Sequence, residues 1–157
     1  MKIYLDCCCY NRPFDDQTQE RVYLEAQIIE GIFRSCQAGI FELVGSSALS
    51  FEISRIGDLE KRQQIIRLYS LVASYENVDD EIELRAKDIR SQSNIKTYDS
   101  YHVALAERAN ADVMITTDVK LEKMASHLKL NVKVINPVRF MMDYMYGGAT
   151  HETSELE

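Results

Sequence analysis

The sequence predicts an α/β fold, a parallel sheet sandwiched between helices. Three observations carry this. Short apolar runs alternate along the chain with longer stretches of helical periodicity. The run Val113-Met114-Ile115 is continuously apolar, as suits a strand covered on both faces. Capping and breaking residues separate the segments, with no internal repeat and no linker in the first 145 residues.

The elements follow in order. Lys2–Leu5 (KIYL) is a β-type run closed by Asp6. The next segment, CCCYNRPFDD, reads as a turn, with Pro13 and Asp15-Asp16 as breakers and cap. Thr18–Cys36 reads as a long helix with Val22, Ala26, Ile29 and Phe33 on one stripe, ended by Gly39. Ile40–Val44 is the second strand. Ser46 or Ser47 caps a helix bearing Leu49, Glu52, Ile53 and Ile56, and Asp58 caps the next, with Ile65, Leu68, Tyr69 and Val72 on its apolar face. Glu76–Val78 is a brief third strand, and Asp80–Ser91 a helix with Ile82, Ala86 and Ile89 inward. Thr97, or else Tyr98, caps a helix with Asp99 in its first turn, where the helix dipole favours an acid. Val103 and Ala106 share the face of Asp99, so this acid points inward and needs a partner. The fourth strand, within Asp112–Thr116, exits through Thr-Thr-Asp. Leu121–Leu128 is a helix, Val132–Ile135 the last strand, and Pro137 opens a short helix to about Met142.

The chain has 157 residues, 46% of them apolar and 27% charged, which fits one soluble globular domain over residues 1–146. The small, polar, acidic end, 147–157, is expected to be disordered. No run approaches the ~18 apolar residues of a membrane span. MKIYLD is too short and too soon charged for a secretory signal, so a cytoplasmic protein is expected, with no membrane partner. Cys7, Cys8 and Cys9 are adjacent, which disfavours disulfides, and they read as reduced, partly buried side chains. The net charge of −7 argues against a binder of nucleic acid by surface charge alone, unless gathered acids hold divalent cations that change the local sign.

Four acids converge in such a fold. Right-handed crossovers place every strand's C-terminal end on one edge, where open α/β sheets keep their sites. Asp6 leaves the first strand there and Asp118 the fourth, while Glu52 and Asp99 lie in helices that start near it. Clustered carboxylates repel unless cations offset them, and oxygen-only donors favour Mg²⁺ or Mn²⁺. Such ions support phosphodiester hydrolysis. Each acid also has a plain reading: Asp6 and Asp118 as caps, Glu52 as a solvated helix residue, and Asp99 as a dipole-satisfying charge. Their common edge favours function.

The order IYLD, SSALSFEI and YDSYHVALAERANADVMITTD resembles the PIN-domain family over about residues 1–140. The family's four acids match Asp6, Glu52, Asp99 and Asp118 in order. The resemblance implies a Rossmann-like three-layer α/β/α sandwich with a parallel five-stranded sheet. It also implies a metal-dependent, single-strand-specific endoribonuclease like the VapC-like toxins of toxin–antitoxin pairs. Asp6, Glu52, Asp99 and Asp118 would be catalytic and would hold Mg²⁺ or Mn²⁺. RNA would be the substrate and an antitoxin protein the partner. One departure is Cys7, where the family often has a small polar residue.

Further candidates carry alternatives. Asn11 and Arg12 are read as contacts to metal-bound water and RNA phosphate, or as turn and surface residues. Thr116 and Thr117 orient Asp118 or a water, with Thr117 also read as a substrate contact, or simply end a strand. Ser46 supports Glu52 or only caps. His102 is an acid–base candidate but more readily a packed or surface histidine. Arg55, Lys61, Arg62 and Lys96 attract RNA or line solvated helix faces. Met141–Tyr146 (MMDYMY) packs on the core or meets a homodimer or antitoxin partner. Two other functions compete with the nuclease: a catalytically weak or inactive RNA- or protein-binding module of the same fold, and a phosphoryl-accepting receiver-like domain. The receiver lacks a lysine after the last strand, since Lys133 is inside it and Lys129 precedes it.

Overall fold

The structure is a computed structural model that describes residues 1–146. The expected disordered end, 147–157, lies outside the described residues. Five strands form one all-parallel sheet: β1 (Lys2–Leu5), β2 (Glu42–Ser46), β3 (Ser74–Glu76), β4 (Val113–Ile115) and β5 (Lys133–Ile135), in the order β3-β2-β1-β4-β5. β1 is central, and Ile3, Tyr4 and Leu5 are fully buried, as a strand covered on both faces requires. Eight helices accompany it among the described residues: α1 (Cys7–Asn11), α2 (Glu20–Gln37), α3 (Ser47–Ser54), α4 (Leu59–Tyr69), α5 (Asp80–Ser91), α6 (Thr97–Arg108), α7 (Val119–Ala125) and α8 (Pro137–Phe140). From β1 the chain moves through β2 to β3, then crosses back to β4 and β5. Right-handed crossovers therefore put α2 and α4 on one face and α5, α6 and α7 on the other, giving the expected three layers. The direction of winding reverses between β1 and β4, so the crevice beyond their C-terminal ends is the switch point where such sheets bind ligands.

The caps anticipated for α3 and α4 form. Ser46 accepts the Leu49 amide at 3.1 Å and Asp58 the Lys61 amide at 3.1 Å. Four local expectations are corrected. The CCCYN segment is not a turn but the helix α1, because Asp6 caps it by accepting the Cys7 amide at 2.8 Å; a 3₁₀ turn follows at Arg12–Phe14. Thr97 does not cap α6. The extended residue is Lys96, so Thr97 is already helical and its hydroxyl is not placed to cap the first free amides. β2 begins two residues later than expected. After Gly39, at φ +78°, the amides of Ile40 and Phe41 both turn back to the Ser35 carbonyl and are withheld from the ladder. α7 starts at Val119, because Asp118 accepts the Lys120 and Leu121 amides at 2.9 and 3.2 Å.

Cys7, Cys8, Cys9 and Cys36 are all free, the first and third buried. Met141 and Tyr144 pack against the core, and Tyr144 stacks on Phe140 with centroids 5.2 Å apart, so these residues of the MMDYMY segment serve the fold. No described helix is long and apolar enough to cross a membrane.

Gly45 in β2 is a point of close approach. A Cβ there would stand 2.8 Å from both the Tyr69 hydroxyl and Val72 Cγ1. That hydroxyl accepts the Ser46 amide at 3.0 Å, beside the cap of the helix carrying Glu52. Gly45→Ala is expected to destabilise the protein by about 2 kcal/mol through overpacking, measured by denaturant unfolding.

Candidate active site

The four acids reach the switch-point edge from four elements. Asp6 is only 6% exposed. Its Oδ1 takes the Cys7 amide, while Oδ2 accepts the Thr116 hydroxyl at 2.8 Å and the Cys8 thiol at 3.4 Å. Thr116 Oγ1 also accepts the Asp118 amide at 3.1 Å. One hydroxyl from the end of β4 thus ties the acid after β1 to the backbone of the acid beginning α7. Thr116→Val is expected to cost about 1–2 kcal/mol of stability, since Asp6 loses a buried donor, and to slow any cleavage about tenfold. Denaturant unfolding and initial rates read the two effects.

Glu52 is held differently. Its Oε1 is bonded to Nε2 of His102, which is fully buried. The other ring nitrogen, Nδ1, is 2.6 Å from the Tyr4 hydroxyl, which lies 2.7 Å from Ser46 Oγ. A buried chain therefore runs from the α3 cap through the central strand and α6 to Glu52. Ser46 both caps α3 and joins this chain. Burial alone would lower the His102 pKa, but the bond to Glu52 and the charges of Asp6, Glu52 and Asp99 outweigh it and hold the pKa above its usual value. His102 is thus neither a surface residue nor simply packed: it positions Glu52.

Asp99 is half-buried, and its carboxylate makes no hydrogen bond or ion pair among the described residues. Burial pushes its pKa up to about 6; Asp6, Asp118 and Glu52 add to the shift, and His102 opposes it. The three other acids are therefore close enough to act on it. Among the described residues no lysine or arginine pairs with any of the four; Glu52 with His102 is their single pair. The donor set, four carboxylates with His102 as the one basic side chain beside them, suits a hard divalent cation. As the side chains stand, Glu52 is drawn to His102, Asp6 to Thr116 and its cap, and Asp118 to the α7 amides. Among the described residues no group of three or more His, Cys, Asp or Glu has the spacing to hold one ion.

The remaining candidates divide. Asn11 lines an open depression of about 400 Å³ with Cys7, Phe51, Glu52, Arg55, Ile56 and Tyr98, and its amide donates to the Cys7 carbonyl at 3.0 Å. Arg12, expected to meet RNA phosphate, faces inward instead. It bonds Asp15 at 3.1 Å and lies 3.6 Å from Glu25, which is fully buried on α2. Arg21 joins the same carboxylate at 3.2 Å and donates to the Thr117 carbonyl at 2.7 Å; Asn136 donates to the other Glu25 oxygen at 2.9 Å. An unpaired buried carboxylate is costly, so Glu25 explains where these arginines go. Thr117 is 5% exposed, and its backbone, rather than its hydroxyl, is engaged, with the amide donating to Cys8 Sγ at 3.3 Å. Tyr4, Cys8 and Glu25 were missed in the sequence. An acid at an inward helix position was the available signal for Glu25; Tyr4 and Cys8 offered none.

No protein with a curated description matches the chain. Among solved structures it is similar to the crystal structure of VapBC2 from Rickettsia felis bound to a DNA fragment from their promoter. That match has a TM-score of 0.54 and 14% identity, and covers 87% of this chain and 98% of that one. The likeness bears on the fold. The family model described as PIN domain matches residues 3–126, from within β1 past the end of α7, and so spans all four acids and the reversal of winding between them. On that match, the chain belongs to the PIN-domain family.

Proposed function

We propose that this protein is a divalent-cation-dependent endoribonuclease acting on single-stranded RNA in the cytoplasm, as the toxin of a toxin–antitoxin pair. The observation that carries the reading is the set of four carboxylates at the switch point with no lysine or arginine partner among the described residues and His102 as their one basic neighbour, with Asp99 pushed up to about 6 by burial and by the other three acids. PIN domains are generally nucleases that use divalent metals, which supports the reaction class. The similarity to VapBC2, a toxin–antitoxin complex, supports an antitoxin protein as partner.

In this reading Asp6, Glu52, Asp99 and Asp118 would hold Mg²⁺ or Mn²⁺. The cation, when bound, supplies Lewis-acid polarisation of a phosphoryl oxygen and a lowered pKa for water. The protein's own contribution is placement. Thr116 fixes Asp6 and the start of α7, and His102 fixes Glu52. Asn11 lies beside Glu52 in the depression, in position to meet substrate. Arg12 and Thr117 keep structural tasks and are not assigned to the substrate.

The test is cleavage of a panel of single-stranded and duplex RNAs. Cutting of single strands that needs Mn²⁺ or Mg²⁺, stops with chelator and is lost in Asp6→Asn supports the proposal. Cutting that survives chelator and substitution alike would remove it. A second reading has its own observation: the bond of Glu52 to His102, with no three donors at ligand spacing among the described residues, suits a PIN-like module that binds RNA or protein without useful cleavage. RNA binding with no cutting under any cation would favour it.

A further inference from the structure

The depression beside Glu52 has a wall that the acids do not explain. Phe51 and Tyr98 immediately precede Glu52 and Asp99 in sequence, one on α3 and one on α6. Both are large aromatic residues left well exposed, at 46% and 41%. Their rings are nearly parallel, at 14°, with centroids 5.8 Å apart, an offset stack. Tyr101 meets Tyr98 edge-on at 6.1 Å, and the Arg55 guanidinium lies 5.3 Å from the Phe51 ring centre. Arg55 is exposed and forms no ion pair among the described residues. Folding does not require two aromatic rings and an arginine without an ion pair, among the described residues, in water. Flat π-surfaces with a neighbouring guanidinium are what unpaired bases and their phosphates meet on single-strand binders.

We infer that Phe51 and Tyr98 form a nucleobase-stacking subsite, with Arg55 as its phosphate contact, that seats an unpaired nucleotide beside the acids. The inference rests on the nuclease reading for its substrate class and adds to it the residues that select single strands. A duplex cannot present a base face to these rings without being opened, so the subsite discriminates by stacking rather than by sequence. The depression, about 400 Å³ and bounded by both aromatics, Arg55 and Asn11, has one of the four acids, Glu52, in its wall.

The test uses the full chain and a short single-stranded RNA carrying a fluorescent purine analogue whose emission falls when it stacks. Binding is read in the presence of chelator, so that no hydrolysis intervenes. Wild type is expected to quench the probe and to bind it more tightly than the duplex of the same sequence. Phe51→Leu and Tyr98→Leu, which keep apolar bulk but lose the π-face, are each expected to weaken single-strand binding about tenfold and reduce quenching, while Phe51→Trp retains both. Thermal melting reports whether each variant is folded, and either leucine variant alone suffices. Unchanged binding and quenching in a folded leucine variant would overturn the inference. So would a leucine variant that changes only the oligomeric state in sedimentation, which would make the patch a protein contact. Aromatic-dependent binding without cation-dependent cutting in wild type would leave the subsite standing and remove the nuclease reading. Cutting that is insensitive to both aromatics would do the reverse.

Discussion

Asp99→Asn is expected to do two opposite things. Metal-dependent RNA cleavage should fall by about a thousandfold, the scale seen when a preorganised charge at a reacting centre is removed. The metal-free protein should nevertheless become more stable near neutral pH. The Asp99 carboxyl titrates higher in the folded chain, about 6, than its ordinary 3.8. A raised acid stabilises the fold below its unfolded pKa, and that contribution is lost as pH rises through the folded value. Metal-free wild type should thus lose stability between about pH 4 and 6, by on the order of 1 kcal/mol once solvent screening of this half-exposed group is allowed for. The variant should lack that slope. Denaturant titrations across this range, without and with Mg²⁺, read the effect; a variant with the wild-type slope would show that Asp99 is not the strained group.

His102→Ala should give the largest loss of stability among the substitutions considered. The ring is fully buried and joins Tyr4 to Glu52. Its removal deletes packed volume and leaves the buried Tyr4 hydroxyl with Ser46 alone. The cost is expected at about 3 kcal/mol, from an emptied cavity and a weakened buried polar chain. Freed from the imidazole, Glu52 should also lose its orientation, lowering cation affinity by about tenfold or more. Calorimetric unfolding and cation titration separate the two parts. An unfolding midpoint equal to wild type would contradict the assignment of His102 as the centre of the chain.

Much of the frame was legible because it is written locally. α5 runs over Asp80–Ser91 as its periodicity predicts, and the caps at Ser46 and Asp58 are those the residue types announce. The edge reached by Asp6 and Asp118 was legible as topology, since a parallel sheet puts the C-terminal ends of β1 and β4 on one side. What escaped was set by distant partners. Three adjacent cysteines and an asparagine are weak helix formers, so α1 was hidden until Asp6 was seen to cap it. The start of β2 depended on amides captured by the Ser35 carbonyl. Glu52 and His102 are separated by fifty positions, and Arg12 faces inward only because a buried Glu25 waits on α2. No local pattern encodes either pairing.

The central claim is that Asp6, Glu52, Asp99 and Asp118 share one cation site. Thermal unfolding of wild type and of the four acid-to-amide variants, each with and without Mg²⁺ or Mn²⁺, tests it most directly. A site that binds only the folded chain should raise the wild-type midpoint by several degrees at saturating cation, and that rise should shrink or vanish in several of the four variants. A wild-type midpoint indifferent to both cations, or the same rise in all four variants, would contradict it.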